Sequence, residues 1–487
     1  MKRLLIGIAA IVLVLAGVLV VRTMNVAAPP AAAQAEPPAS PIDANLAAQH
    51  LAQAIRFQTV SYGDGIKEQE KSMALRAMYE WMEQTYPNFL TAAGPEIIGD
   101  SLLFTWHGKN PNLLPVLLMA HMDVVPVVPG SEKDWIHAPF SGDIAEGFVW
   151  GRGAIDDKGQ LVSILEAAER LAASGFQPER TIMFAFGQDE EVGGGQGNAM
   201  IAKALAGRST HFAWVLDEGS SIMNEPYPGT RKPVAFVATA EKGYLSLELV
   251  AHGQGGHSAR PSTNLALERI SNAVVNVVNH PFVSDLDDVQ RGKIAALAPL
   301  VPFKDRLILA NLWLTKPLVM RGLEAVPETA AVLHTTISPT MLNAGIKENV
   351  IPPTARAVIN FRLHPRDTIK SVTEHVRAAI GDSQVDINQR EETLSEATKI
   401  VGVNDPAYVY LSDLIKSSYG VPVAPDTMTG ATDSRHYIAL ADAVLRFRPF
   451  RTETTDLPRV HGTNERVAVA DLGAAAGFYM RLIQDLK

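Results

Sequence analysis

Histidines and carboxylates recur in five short strings whose residue types suit divalent-metal chemistry. Met119-Ala-His-Met-Asp-Val-Val-Pro carries His121 and Asp123 two positions apart, so on an extended strand both side chains point to one face. One can ligate a cation while the other acts beside it through hydrogen bonds. In Gly151-Arg-Gly-Ala-Ile-Asp-Asp-Lys-Gly, paired glycines permit a tight turn and present Asp156, whose two oxygens can bridge two cations. Gln188-Asp-Glu-Glu-Val-Gly-Gly sets Glu190 beside Glu191, and Leu216-Asp-Glu-Gly offers Asp217 and Glu218. A late imidazole, His461, comes from Arg459-Val-His-Gly-Thr-Asn-Glu. Taken singly, such groups are ordinarily surface turns or solvated faces. Here the acids close apolar runs, where gathering several carboxylates is repulsive unless cations neutralise them. The spacing is not compact and regular, so on spacing alone a two-cation centre and a set of unrelated polar turns both stand.

The elements that must position these groups alternate between helix and strand. Helical patterns cover Ala44–Arg56, Glu68–Thr85, Lys158–Ala173 and Asn198–Ala206. Between them lie short apolar runs at Leu102–Trp106, Val116–Met119, Thr181–Phe186 and Ala213–Leu216. That alternation predicts an α/β domain whose mixed, mostly parallel sheet is flanked by helices. Ligands gather outside the carboxyl ends of such strands, where the acids and histidines fall. Near Lys242 the texture changes. Strand-like stretches at Tyr244–His252, Ala330–Ser338, Thr354–Arg362 and Gln384–Gln389, with helices at Leu265–Val278 and Ile369–Ile380, predict an inserted α+β unit. The expected organisation is an anchor or signal segment at 1–25, an Ala/Pro-rich linker at 26–42 and a main domain in two parts, 43–241 and 395–487. The inserted unit, 242–394, interrupts it.

The 487 residues are 47% hydrophobic and 20% charged, the balance of a folded globular chain. Lys and Arg number 43 against 52 Asp and Glu, a formal charge of -9, which argues against a nucleic-acid partner. There is no Cys, so disulfides, thiolate metal ligands and thiol nucleophiles are excluded, and any metal must sit on His and carboxylates. Lys2 and Arg3 precede an uncharged apolar run, Leu4–Val21, that is long for a cleaved signal, whose apolar region is usually about 7–15 residues. An uncleaved membrane anchor with the body exported is the leading expectation. A cleaved signal, with Ala33 and Ala35 as a cleavage site and the enzyme secreted or periplasmic, is the alternative.

The strings MAHMDVVP, GRGAIDDKG, QDEEVGG, LDEG and VHGTNE resemble the signature of the di-zinc aminoacylase/carboxypeptidase metallopeptidase family. Their order and spacing match over nearly the whole chain from about Asp43. Within that family, AEKGYLSLEL, GGHSARP, KENVIPPTARAVINFRLHP and TDSRHY are most similar to the carboxypeptidase S and Gly-X carboxypeptidase branch, which includes secreted N-acyl-amino-acid hydrolases. The resemblance implies two zinc ions, with other divalent metals as alternatives. His121 and Glu218 would hold one and Glu191 and His461 the other, with Asp156 bridging them and its peptide bond to Asp157 cis. Asp217 stays open as an alternative to Glu218. Glu190 would be the general base, and Asp123 would orient a ligand.

The resemblance also implies that 43–241 and 395–487 form the catalytic domain and that the inserted unit, 242–394, is a lid domain closing over the substrate. His257 would stabilise the oxyanion, often from a partner subunit, which implies a homodimer through the lid. Asn349 and Arg362 would clamp a substrate carboxylate, for which a guanidinium has suitably paired donors, and Arg435 is a weaker contributor. The expected activity is hydrolysis of the amide next to a free C-terminal carboxylate in short peptides. Hydrolysis of N-acyl amino acids by the same metal-activated water is the alternative, and an inactive binding protein on the same fold is the remote one. Residues Phe282–Glu328 depart from shorter family members. They are expected to be core of an enlarged lid, or else an apolar wall for an acyl chain or a membrane-facing patch.

Overall fold

The computed structural model describes residues 2–26, 40–63, 65–227, 230, 232–390 and 394–487. The linker stretch 27–39, with Ala33 and Ala35, lies outside the described residues, as do residues 391–393 just before the expected end of the lid.

A ten-stranded mixed sheet organises the body. At its heart four neighbouring strands run parallel, in the order Ile182–Gly187, Val116–His121, Phe212–Asp217 and Ala441–Arg446. Their register pairs His121 with Gly187 and Arg446 with Asp217, so the four carboxyl ends finish at one edge. Val116–His121 and Ile182–Gly187 are buried along their whole length, as expected for strands covered on both faces. The helices Ala44–Arg56, Lys158–Ala173 and Val469–Asp485 pack together on one face, with Ala48, Leu51, Leu161, Leu165, Leu472 and Phe478 in a common core. Asp43 caps the first of these helices by accepting from the amides of Asn45 and Leu46.

A second, four-stranded antiparallel sheet has the order Thr336–Ala344, Thr354–Leu363, Gly243–His252, Val385–Gln389. Alternation builds its inner face: Leu245, Leu247, Leu249 and Ala251 on one strand meet Ala355, Ala357, Ile359, Phe361 and Leu363 on the next. Helix Ala266–Asn279 covers that face with Ile270, Ala273 and Val277, and Ile369–Ile380 with Val372, Val376 and Ile380. Each buried branched side chain contributes roughly 1.5–3 kcal/mol, so this layer has a core of its own.

Two expectations change. The strand expected over Ala330–Ser338 begins at Thr336, because the apolar Val332 and Leu333 follow a helical turn and are buried, Leu333 in a separate cluster. The segment Phe282–Glu328 forms the helices Asp288–Leu297, Phe303–Leu309 and Leu312–Glu324, which do not simply enlarge the lid. The first of them lies on the large sheet, where Ala296, Leu297 and Leu300 meet Val234, Phe236 and Ala424. The Lys293 ammonium also pairs there with Asp426 at 2.8 Å.

Candidate active site and metal centre

Four loops converge at the carboxyl edge of the parallel strands. His121 is the last residue of its strand, Glu218 follows Asp217 at the end of another, and Glu190 and Glu191 form the turn after Gly187. Asp156 arrives on the Gly151–Asp157 loop. Gly151 has φ 147° and Gly153 has φ 87°, and a Cβ on Gly153 would meet Val124 at 2.6 Å, so that path requires glycine. The Asp156–Asp157 peptide bond is cis.

His121 Nε2 lies 3.1 Å from Asp156 Oδ1 and 3.5 Å from Glu218 Oε1. On the other side, His461 Nε2 lies 3.1 Å from Asp156 Oδ2 and 3.2 Å from Glu191 Oε2. Two ligand-type groups result, His121–Asp156–Glu218 and Asp156–Glu191–His461, each with donor atoms within 4.8 Å of one another and sharing Asp156. The donor set suits divalent cations, and Glu191 Oε1 is buried without a hydrogen-bond partner.

Asp217 is otherwise engaged. Its Oδ1 accepts from the Glu218 amide at 2.9 Å and its Oδ2 from the Ser434 amide at 2.8 Å, so it braces the turn while Glu218 faces His121.

Asp123 is fully buried and joins two parts of the centre. Its carboxylate accepts from the amides of Glu190 and Glu191 at 3.1 and 3.3 Å and from the Ser61 hydroxyl at 2.6 Å. Its Oδ1 also lies 3.4 Å from His121 Nδ1, the ring nitrogen opposite the one facing Asp156. The hydrogen bond to that nitrogen is made by the Asp123 backbone carbonyl at 3.0 Å, so Asp123 holds the imidazole through its backbone and the glutamate turn through its side chain.

The electrostatics follow from crowding acids in a buried place. Burial pushes Asp156 upward, but hydrogen bonds from His121 and His461 hold it well below the usual carboxylate range. Burial and the charge of Asp156 push Glu218 up to about 7. Glu190 is raised well above its ordinary value by burial, with His121 opposing and Asp433, Glu218 and Glu191 adding to the rise. His461 is raised to about 10 by its hydrogen bonds to Asp156 and Glu191.

Three charged residues at the site went unassigned in the sequence. Glu465 is wholly buried and accepts from the amides of Gly153, Ile155 and Asp156 and from Arg152 Nη1. Arg152 Nη2 in turn donates to the carbonyls of His461 and Gly462, so the pair ties the Asp156 loop to the His461 loop. Both residues lie inside the strings GRGAIDDKG and VHGTNE, and that was the signal. Arg448 Nη1 lies 3.6 Å from Glu218 Oε2 and 3.9 Å from Asp156 Oδ1, two residues beyond the strand Ala441–Arg446.

A cleft of about 1100 Å³ opens over these groups. Asp156, Glu190, Glu191, Glu218 and His461 line its floor, and Tyr244, Arg362, Arg435 and His436 line it further out. The Arg362 guanidinium stacks 4.4 Å from the Tyr244 ring centroid, and Arg435 donates to the Gly193 carbonyl at 2.7 Å. Leu394, Ala397, Met428, Ala431, Ile438 and Ala439 give the cleft an apolar side. No residue of 282–328 lines it, so the apolar wall has a different source from the one anticipated. His257 and Asn349 are not in the lining either. They sit together on an exposed ribbon in which Gly256–His257 pairs with Val350–Ile351 and the Ser258 amide donates to the Asn349 carbonyl.

Residues 117–485 match the model of Peptidase family M20/M25/M40. The chain belongs to the M20 peptidase family. It is 35% identical over 448 residues to "Probable carboxypeptidase S-like 2" of Dictyostelium discoideum, covering 90% of this chain and 85% of that one. It is 36% identical over 440 residues to "N-fatty-acyl-amino acid synthase/hydrolase PM20D1" of Xenopus tropicalis, covering 89% and 84%. Among solved structures, the M20 family metallo-carboxypeptidase Sso-CP2 from Sulfolobus solfataricus superposes with a TM-score of 0.62 at 16% identity, covering 90% of this chain and 98% of that one, a likeness of fold. M20 metallopeptidases use metal ions, typically zinc, and the two groups sharing Asp156 are this chain's candidate ligands.

Proposed function

We propose that this M20 peptidase hydrolyses an amide bond adjacent to a free carboxylate, using two zinc ions held by His121, Glu218, Glu191 and His461 with Asp156 shared between them. The observation that carries this reading is the pair of ligand groups meeting at Asp156 with Glu190 on the same turn as Glu191. Bound there, the cations supply Lewis acidity, lowering the pKa of a water and polarising an amide carbonyl. Glu190 takes the proton from the attacking water and returns it to the leaving amine, a task suited to a carboxyl whose pKa burial raises. Asp123 keeps His121 and the Glu190 turn in register. Arg362 and Arg435 receive the substrate carboxylate.

Short peptides cut at the C-terminal residue are the leading substrates. The apolar side of the cleft favours a second class, N-acyl amino acids, whose acyl chain would lie along Met428, Ile438 and Ala439. Both classes share the mechanism. The relatives' names include a carboxypeptidase S-like protein and an N-fatty-acyl-amino acid synthase/hydrolase.

The chain is read as exported, with a catalytic body over 43–241 and 395–487 and a lid over 242–394. Helix Lys2–Asn25 serves as its membrane anchor. Among the described residues it is the one helix long and apolar enough to cross a bilayer. We read the lid as a dimer contact: its edge strand Thr336–Ala344 is largely exposed, with Met341 and Leu342 uncovered, and an unpaired edge is a template for a second copy.

The test is a hydrolysis panel of dipeptides, amidated dipeptides and N-acyl amino acids of increasing chain length, with metal content measured on the same samples. Glu190→Gln should lower kcat by roughly 10²–10⁴-fold with metal retained. Unchanged turnover in that variant, or a folded protein that takes up no zinc, would refute the reading.

A further inference from the structure

The helix Lys2–Asn25 does not stand alone. Its residues Leu15, Leu19 and Thr23, one turn apart, form a stripe that is covered while most of the helix surface is bare. The covering element is the corner joining helices Phe303–Leu309 and Leu312–Glu324. Asn311, at that corner, is wholly buried, and its amide donates to the Thr23 hydroxyl at 3.2 Å and the Leu19 carbonyl at 3.3 Å. Further along, Trp313 and the helix residues Ala10, Ile11, Val14, Leu15 and Val18 line a shallow, open apolar groove.

The depth of these contacts decides what surrounds the corner. The apolar run ends at Val21, and at 1.5 Å per residue Val18 lies about 4 Å below that end and Ile11 about 15 Å below it. A bilayer core is about 30 Å thick, so Trp313 lies level with one leaflet, on the side of the catalytic body. The exposed face of Leu312–Glu324 changes character to match, apart from Lys316, whose ammonium is ion-paired with Asp285. Trp313, Leu314 and Leu318 are 55%, 44% and 57% exposed near its start, while the exposed Arg321 and Glu324 lie two to three turns further on. In water such a face is an unexplained apolar patch. Beside a membrane-crossing helix it is the continuation of the same lipid-facing surface.

We propose that the Asn311–Leu318 corner is immersed in the phospholipid leaflet on the side of the catalytic body, so that the enzyme is held to the bilayer by two elements docked on each other. This rests on the reading of Lys2–Asn25 as a retained membrane anchor. The Asn311 amide also donates to the Leu307 carbonyl at 2.8 Å, and away from water no solvent competes for it, so its bonds to Leu19 and Thr23 clasp the corner to the anchor.

The full chain reconstituted into phosphatidylcholine vesicles carrying a nitroxide quencher on their acyl chains tests this. The protein has six tryptophans, of which Trp106, Trp135, Trp150 and Trp214 are buried in the body and Trp81 half-buried. Lipid-dependent quenching is therefore expected to arise mainly from Trp313, and Trp313→Phe should remove most of it while leaving the melting temperature and hydrolysis rate unchanged. Full chain that stays on the vesicles with equal quenching in wild type and variant would overturn the immersed corner and leave the anchor standing. Full chain that does not stay on the vesicles would overturn both.

Discussion

Glu190 and Glu191 are neighbours on one turn, yet their surroundings give them different work. Glu191 shares a hydrogen-bonded group with His461 and Asp156, whereas Glu190 lines the cleft and makes no such pairing. His461 and Glu218 hold protons more tightly than they would in an unfolded chain, whereas Asp156 holds its proton less tightly, and for the first two the consequence for stability has a definite sign. His461 is raised from 6.5 to about 10 by its hydrogen bonds to Asp156 and Glu191, and Glu218 from 4.5 to about 7 by burial and the charge of Asp156. A raised folded-state pKa stabilises fully below the unfolded value and loses that contribution as pH rises through the folded one. The melting-temperature difference between zinc-stripped wild type and zinc-stripped His461→Ala should therefore shrink as pH rises towards about 10, a comparison in which the buried Lys158 and Lys242, lowered to about 7 and opposite in sign, cancel. Zinc binds the deprotonated ligands and releases their protons, so resupplied protein should gain most at the alkaline end. Differential scanning calorimetry across that range checks it, and a difference that grows with pH would contradict the assignment.

At the scale of elements, the strand ends were legible and the supports behind them were not. His121, Asp156, Glu190 and Glu218 close apolar runs or glycine turns, and the parallel sheet brings those ends together. The helices Ala44–Arg56, Lys158–Ala173 and Ile369–Ile380 have the bounds that their apolar periodicity predicts. Glu465 and Arg152 read as ordinary charges because their partners lie more than 300 positions away, a separation no local pattern encodes. The edge strand Thr336–Ala344 was misplaced for a related reason: it has no buried face to impose alternation, while the apolar Leu333 beside it serves a different core. The two-loop clasp is open to a direct experiment. Glu465→Ala strands a buried guanidinium and three backbone amides, and breaking a buried pair of this kind costs about 3–5 kcal/mol. The expected outcome is a lower unfolding midpoint together with weaker zinc affinity, since the Asp156 and His461 loops lose their common tie. Glu465→Gln keeps an acceptor and should recover part of both, and zinc affinity unaltered in either variant would show that the clasp does not position the ligands.

For the whole molecule, the puzzle is that His257 and Asn349 stand on an exposed ribbon outside the cleft that the other candidate residues line. The same part of the lid presents the uncovered edge strand and the apolar Ile346 and Val350, 95% and 44% exposed. A two-fold contact through that edge would cover those side chains, and because such an interface is reciprocal, each ribbon could be carried to the partner's cleft. The arrangement makes a prediction that a monomer cannot satisfy. On the dimer reading, Glu190→Gln would disable the chain that holds the metals and His257→Ala the chain that lends the imidazole, so each homodimer would be inactive. In a mixed dimer one of the two sites draws its intact Glu190 and intact His257 from different chains. Random pairing of equal amounts makes half the dimers mixed, and coexpression should restore about a quarter of wild-type activity. Activity no greater than the sum of the two variants would place His257 outside the partner's site, and sedimentation of the same sample would show whether the dimer itself had formed.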